Sequence, residues 1–135
     1  MVEQVPILYD LDCGFCRATV GLLLTWDRRR RLRPVAIQSE EGARLLAQMP
    51  EAERLASAHA IIPGQPAPLS GGRAAAPILR ELPAGAPLAA LVERVPAATD
   101  RSYRWVADHR VQLSRFVPRA VKQRADRIVR ERSID

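Results

Sequence analysis

The stretch Val5-Pro6-Ile7-Leu8-Tyr9-Asp10-Leu11-Asp12-Cys13-Gly14-Phe15-Cys16 decides the fold of this chain. An apolar run, residues 5–9, leads directly into the only two cysteines of the sequence, which have C-x-x-C spacing. If the run forms a strand and a helix begins at the cysteines, the sulfur of Cys13 lies at a helix N-terminus. Free N–H groups and the helix macrodipole favour thiolate over thiol there. Because thiolate is the reactive form, this arrangement predicts thiol-disulfide chemistry.

Farther along the chain, hydrophobic periodicity and turn residues predict the element order β-α-β-α-β-β-α. Pro34 lies inside the second strand and favours either a position at the sheet edge, where a missing N–H is tolerated, or a later start of the strand. Ser39 is a natural N-cap for the second helix. The predicted elements are a strand at 5–9, a helix from the cysteines to 26, a strand at 32–37, a helix at 39–49, a hairpin with arms 58–62 and 67–69, and a helix at 74–82.

This order, with the C-x-x-C at the first strand-to-helix junction, is the layout of the thioredoxin fold, an α/β architecture. The position of the cysteines and the order of the elements are separate signals, and they agree. Beyond the core, apolar spacing predicts three added C-terminal helices that are separated by prolines. We predict one domain over residues 1–135, in which a core at 1–83 carries a helical extension at 84–135 packed on it. The added helices are predicted at 88–95, 99–116 and 118–132.

The composition favours one globular domain. With 135 residues and 47% hydrophobic content, the chain can bury a core without disulfide staples. Two closely spaced cysteines are too few for the disulfide framework of a secreted protein, and residues 3–4 are acidic and polar where a secretory signal would be basic. We therefore expect a cytoplasmic protein. The longest apolar candidate for a membrane span, Ala18–Trp26, has about nine residues where roughly 20 are needed.

The net charge of +6 belongs to the C-terminal segment. Residues 1–99 carry 11 basic and 10 acidic groups, whereas residues 100–135 carry 10 basic and 5 acidic groups. Such a segment could attract an anionic partner. Aromatic residues are only 4% of the chain and no nucleic-acid-binding signature is visible, so we predict no nucleic-acid partner. Contact of the basic last helix with a membrane surface is an alternative that the sequence favours less.

Residues 10–16 form the motif D-x-x-C-x-x-C, and together with Tyr9 they resemble the opening of the DCC thiol-disulfide oxidoreductase family. Two further stretches resemble that family: 70–74 looks like its glycine and alanine before a helix, and 103–110 looks like its C-terminal tyrosine-to-arginine pattern. The resemblance therefore covers nearly the whole chain. It implies a thioredoxin-like fold with the cysteine pair as the redox centre.

Some positions depart from these patterns. Leu11 stands where the family usually has glycine, and His109 stands where asparagine is common. Well-studied thioredoxins place a cis-proline before the third strand, facing the disulfide, whereas Ser57, Ala58 and His59 occupy that place here. We therefore expect substrate docking to differ from that of thioredoxin, although the sulfur chemistry is shared.

The expected mechanism uses Cys13, Cys16 and Asp10. Cys13, the N-terminal and more accessible sulfur, attacks a substrate disulfide, and Cys16 resolves the mixed disulfide that results. The charge of Asp10 opposes a nearby thiolate, so we assign Asp10 as the proton acceptor for Cys16 during resolution, or as the donor in reverse. The substrate is expected to be a disulfide-containing protein or small molecule, with a thiol as electron donor. No organic cofactor and no metal is implied.

Other interpretations of the cysteines stay open. They could form half of a zinc site, completed by His59, His109 or carboxylates, or they could be inert core thiols. A different class of function is a non-catalytic binding module. In that case the basic C-terminal helices contact an anionic partner, and the cysteines act only as a redox- or metal-sensitive clasp.

Residues near the motif also have ordinary structural interpretations. Asp12 could be the N-cap or Asx-turn residue of the first helix. His59 is more often a packed or surface histidine than a base. Tyr103 and Arg110 have helical spacing that predicts core packing with an ion pair. They could instead frame the sulfur cleft, and the pattern alone fits both.

Overall fold

The computed structural model describes residues 4–134, which form a four-stranded sheet with helices on both faces. No helix in this span is long and apolar enough to cross a bilayer. The strands are β1 (Val5–Tyr9), β2 (Leu32–Ala36), β3 (His59–Ala60) and β4 (Leu69–Ser70). The helices are α1 (Gly14–Trp26), α2 (Glu40–Leu45), α3 (Glu51–Arg54), α4 (Ala75–Glu81, preceded by a 3₁₀ turn at Gly71–Ala74), α5 (Ala86–Arg94), α6 (Pro96–Asp108), α7 (Arg110–Phe116) and α8 (Arg119–Ile134).

The strand order in the sheet is β2-β1-β3-β4. β1 and β2 are parallel, with Tyr9 opposite Ala36, whereas β1 pairs with β3 and β3 with β4 in antiparallel fashion. α1 makes the crossover between the two parallel strands. This is thioredoxin topology, so the predicted α/β thioredoxin-like fold class is confirmed. β2 lies at the sheet edge, as Pro34 predicts.

β1 is buried on both faces of the sheet. Val5, Ile7 and Tyr9 belong to one apolar cluster, which residues of α1, α4 and α8 complete. Leu8 belongs to a second cluster on the opposite face, around residues of β2 and α2. Alternate side chains of a strand point to opposite faces, and both faces are covered here, so β1 reads as a continuous apolar run.

The last helix packs directly on α1. A Cβ placed on Gly21 would lie 2.5 Å from the Cβ of Ala125, so only glycine allows this approach of the two helices. Ala125 and Val129 are both buried. Val129 belongs to the same apolar cluster as Leu24 and the inner side chains of β1. α8 is therefore part of the core and not a detached basic arm.

Asp27 is a buried carboxylate that joins the end of α1 to β2 and α8, and only 1% of its surface is exposed. Its Oδ1 accepts a hydrogen bond from the Arg31 N–H at 3.0 Å. Its Oδ2 accepts from the Leu32 N–H at 2.8 Å and from Nη2 of Arg132 at 2.7 Å. The Arg132 guanidinium also donates to the carbonyls of Leu24 and Leu32. One side chain thus fixes where α1 ends, β2 begins and α8 lies.

The second helix begins as predicted but ends earlier. Ser39 is its N-cap, and the Ser39 hydroxyl accepts a hydrogen bond from the Gly42 N–H at 3.0 Å. The helix stops at Leu45 instead of continuing to Met49. Beyond Leu45 the chain forms turns, in which the Ala47 N–H donates to the Arg44 carbonyl and the Met49 N–H to the Leu46 carbonyl. Pro50 then disfavours the helical conformation at Met49.

Two other predicted boundaries are wrong. The hairpin arms expected at 58–62 and 67–69 shorten to two residues each, because the prolines between and within them donate no ladder hydrogen bonds. The helix expected over 99–116 is two helices, α6 and α7, that meet at His109, where φ is −109° and ψ is 12°. The other predicted helices lie within a few residues of their observed bounds.

The Asp27 network predicts a large loss of stability for Asp27→Ala. The substitution leaves a nearly buried guanidinium and two backbone N–H groups without their acceptor, and we expect a loss of about 3–5 kcal/mol in the free energy of unfolding. Glu93→Ala is the matched control, because it removes a carboxylate from the half-exposed Arg80–Glu93 ion pair and should cost less than about 1 kcal/mol. Urea unfolding monitored by circular dichroism measures both. Equal losses would show that Asp27 does not organise the core.

Candidate active site

Cys13 is the N-cap of α1, in the place that the sequence predicts. Its backbone is extended, and its Sγ accepts a hydrogen bond from the backbone N–H of Cys16 at 3.2 Å. The sulfur thus takes the position that a serine or aspartate oxygen usually holds at the start of a helix. Both cysteines are free thiols and partly exposed. One N–H group of the first helical turn, that of Cys16, is thus directed at the Cys13 sulfur.

Cys16 lies in the first turn of α1 and is partly buried. Burial raises the pKa of Cys16 to about 12, and the hydrogen bond and the charge of Cys13 act in the same direction. The Arg110 guanidinium opposes this shift, whereas the Asp10 carboxylate adds to it. Cys16 therefore keeps its proton at neutral pH. It can act as a nucleophile only where a base accepts that proton.

Asp10 follows β1 directly, and its carboxylate is held from three sides. Oδ1 accepts hydrogen bonds from the Asp12 N–H at 3.0 Å and from Nε2 of Gln38 at 2.7 Å. Oδ2 lies 3.7 Å from Nη2 of Arg110 in an ion pair. Gln38 is itself fixed, because its Oε1 accepts from the Leu11 N–H at 3.1 Å. The carboxylate therefore has a defined orientation beside the motif.

The structure corrects the interpretation of Asp12. The N-cap of α1 is Cys13, and the Asx-turn at this junction is formed by the carboxylate of Asp10. Asp12 is exposed. Of the two aspartates before the cysteines, Asp10 is therefore the one that the fold places in the site.

An apolar cavity of about 350 Å³ lies beside the motif, between the sheet, α1, α4 and α6. Of the two cysteines, Cys16 contributes to its wall, and so does Asp10. The other polar residues of the wall are Thr19, Ser57, His59, Tyr103 and Arg110. Asp10 and Arg110 are paired, and the charges of Cys16 and Arg110 act on the pKa of the Tyr103 hydroxyl, so these groups lie close together. The remaining wall is almost entirely apolar.

Tyr103 and Arg110 line the cleft beside the cysteines. Their spacing in the sequence allowed either this placement or packing in the core. Burial raises the pKa of Tyr103, and its hydroxyl oxygen accepts a hydrogen bond from the Ala58 N–H at 2.8 Å. Arg110 donates to the Leu55 carbonyl at 3.0 Å as well as pairing with Asp10. The two side chains therefore tie α6 and α7 to the segment before β3, which faces the motif.

His59 is a packed histidine, as the sequence suggests. It is 2% exposed, with Nδ1 2.7 Å from the Ser70 hydroxyl and Nε2 2.8 Å from the Arg54 carbonyl. Burial lowers its pKa. A neutral ring with the proton on Nε2 satisfies both contacts, because that N–H donates to the carbonyl while Nδ1 accepts from the hydroxyl.

Gly14, between the two cysteines, is covered by the C-terminal helices. A Cβ on Gly14 would lie 2.8 Å from the Ser114 hydroxyl oxygen, 3.4 Å from Cε of Lys122 and 3.5 Å from its Nζ. α7 and α8 thus bring a hydroxyl and an ammonium group against the motif. The sequence analysis missed both residues, and also Gln38. Gln38 could have been found, since the parallel strands β1 and β2 end at the same sheet edge and bring the residues after them together.

The part of the chain that the structure describes contains no cluster of side chains that supports the zinc interpretation. Residues 4–134 bring together no group of three or more His, Cys, Asp and Glu side chains that could hold a metal ion. Both ring nitrogens of His59 already have hydrogen-bond partners, the Ser70 hydroxyl and the Arg54 carbonyl. His109 is stacked on Trp105, with ring centroids 4.4 Å apart, and its Nδ1 lies 2.7 Å from the Trp105 carbonyl.

A thioredoxin-like sheet with two thiols at the first strand-to-helix junction defines the class of thiol-disulfide oxidoreductases. A family model described as DCC1-like thiol-disulfide oxidoreductase matches residues 7–116. The chain belongs to this family, which confirms the resemblance carried by residues 9–16. The match includes the motif, Tyr103 and Arg110, and it ends before α8. No curated protein and no solved structure gives a match to this chain.

The raised pKa of Cys16 predicts slow, strongly pH-dependent alkylation. With a pKa of about 12, roughly one Cys16 side chain in 10⁴ is thiolate at about pH 8, so the rate with iodoacetamide should rise about tenfold per pH unit up to about pH 10. Tandem mass spectrometry of reduced, metal-free protein separates the two sites. The urea-unfolded protein is the control, and its Cys16 should react like an ordinary thiol. Equal Cys16 rates in folded and unfolded protein would contradict the prediction.

Proposed function

We propose that this thiol-disulfide oxidoreductase works as a disulfide reductase, with Cys13 as the attacking thiolate and Cys16 as the resolving thiol. The contact between the Cys13 sulfur and the Cys16 N–H, at the N-terminus of α1, carries the proposal. An N–H group directed at a sulfur stabilises negative charge on that sulfur, and the helix dipole acts in the same sense. The burial of Cys16 supports the division of roles, because a protonated inner thiol cannot make the first attack.

The reaction transfers two electrons from the two cysteines to the substrate disulfide. The Cys13 thiolate attacks one sulfur of the substrate disulfide, the substrate S–S bond breaks, and the departing sulfur leaves as a thiolate that takes a proton. Cys13 is then joined to the other substrate sulfur. Cys16 loses its proton and attacks the Cys13 sulfur, which releases the second substrate thiol and leaves a Cys13–Cys16 disulfide. Two donor thiols, or one dithiol, then reduce this disulfide by the same exchange and are themselves oxidised to a disulfide.

Asp10 is proposed as the base in the second step. It is the carboxylate in the wall of the cavity that Cys16 faces, and Gln38 and Arg110 hold it in place. The hydrogen bond and the charge of Cys13 raise the pKa of Cys16 in the reduced protein. Once Cys13 is bound to substrate, that charge is gone. Cys16 therefore gives up its proton more readily at the stage when resolution requires it.

The compartment, the substrates and the electron donor are also part of the proposal. A C-x-x-C pair that must return to the dithiol form suits a reducing compartment, and we propose the cytoplasm. The substrates are disulfides of proteins or of small molecules. We propose a dithiol, or two thiols, as the electron donor, because the return of the Cys13–Cys16 disulfide to the dithiol takes two electrons.

Two cysteine variants test the order of attack. Cys13→Ser should abolish reduction of insulin disulfides, because the attacking sulfur is lost. Cys16→Ser should stop after one attack and accumulate a mixed disulfide at Cys13, which mass spectrometry detects. Mixed disulfide on Cys16 in wild-type protein would reverse the assignment. Two unreactive thiols without turnover would favour the non-catalytic binding module, in which charge reversal at Arg124, Arg127 and Arg130 should abolish partner binding.

Asp10→Asn tests the proton acceptor. The amide keeps a hydrogen-bond acceptor for the Asp12 N–H but cannot take a proton, so resolution should slow roughly 10²-fold or more while the first attack is retained. Quenched-flow trapping should then show the mixed disulfide accumulating. The matched control is Asp12→Asn, which removes an exposed carboxylate two residues away and should leave both steps unchanged. Unaltered resolution in Asp10→Asn would remove Asp10 from the mechanism.

A further inference from the structure

The cavity beside Cys16 is large and apolar for a protein of this size. Its volume of about 350 Å³ falls in the range of small-molecule sites, whereas close-packed interiors leave few voids larger than a water molecule. Side chains of three helices form the apolar wall, including Phe15 and Leu23 of α1, Ile78 of α4, and Val106 and Ala107 of α6. This wall offers an apolar group a place out of water directly next to the motif.

The Asp10, Arg110 and Tyr103 side chains of the cavity wall already have partners within the protein. Asp10 is paired with Arg110, and Arg110 also donates to the Leu55 carbonyl. The Tyr103 hydroxyl oxygen accepts from the Ala58 N–H. A charged substituent on the substrate would have to give up its water against the apolar wall, which is costly without new partners. An alkyl group has no such cost and gains from burial.

We propose that the cavity binds the alkyl group of a small aliphatic disulfide, whose S–S bond then lies at the cysteine pair. The inference rests on the proposed reductase function and adds a substrate class to it. Cys13 breaks the S–S bond as described above, and both alkyl thiols are released as Cys13 and Cys16 form their disulfide. The volume of the cavity lies at the lower end of the range for small-molecule sites, which suits a small aliphatic disulfide.

The test compares dipropyl disulfide with bis(2-hydroxyethyl) disulfide, which differ only by methyl in place of hydroxyl at each end. Single-turnover oxidation of pre-reduced protein is followed by loss of alkylatable thiols, and each rate is divided by that of a reference dithiol. We expect dipropyl disulfide to react about tenfold faster or more. From propyl to pentyl, the rate should rise about fourfold per methylene, the fold-change that corresponds to about 0.8 kcal/mol per buried CH₂.

Two alanines of the same helix provide matched variants. Ala107→Leu fills part of the cavity and should reduce both the methyl preference and the slope with chain length. Ala98→Leu adds the same side chain at an exposed position of α6 and should leave all rates unchanged. If Ala107→Leu does not fold, the chain-length series on the wild-type protein still tests whether the alkyl group is buried in the cavity.

The outcomes separate this inference from the proposed function. Cys13-dependent reduction of insulin without any methyl preference would overturn the inference and leave the reductase function standing. A preference for peptide disulfides flanked by leucine, without one for dialkyl disulfides, would assign the cavity to a protein side chain and also overturn it. Failure to react with every disulfide would remove the reductase function and the inference together.

Discussion

The short passage from β1 into α1 is the constraint on which the site depends. Only four residues separate the last residue of a strand buried on both faces from the first residue of a helix. Asp10 closes this turn through its hydrogen bond from the Asp12 N–H, and Cys13 caps the helix. Because the strand cannot shift without disturbing two apolar layers, the sulfur is fixed at the helix N-terminus.

The two thiols of one motif differ because the fold places them in different surroundings. The Cys13 sulfur accepts a hydrogen bond from a backbone N–H at the helix start, whereas Cys16 lines an apolar cavity. Burial, and not the nearby charges, is the main reason why the pKa of Cys16 is raised. Two chemically identical side chains thus have different surroundings three residues apart, which supports the proposed division of roles. The same cavity that protects the inner thiol also offers room for part of a substrate.

The sequence predicted the features that depend on local patterns. The fold class, the edge position of β2 and the N-cap at Ser39 follow from periodicity, from one proline and from one hydroxyl, and all three are observed. Features that depend on packing between distant segments could not be predicted from the sequence. Nothing local indicates that Lys122 lies against Gly14, or that Arg110 pairs with Asp10, a residue one hundred positions earlier in the chain. The spacing of Tyr103 and Arg110 fitted core and cleft equally well, and only tertiary contacts distinguish them.

The close contact between Gly21 and Ala125 has a consequence for where this protein can be divided. The family match ends at residue 116, yet α8 supplies Ala125 and Val129 to the core, and Arg132 to the buried carboxylate of Asp27. A fragment cut to the limits of the family would expose the glycine face of α1 to water and leave that carboxylate without its cation. The region that matches the family is therefore shorter than the packed core of this chain, to which α8 contributes.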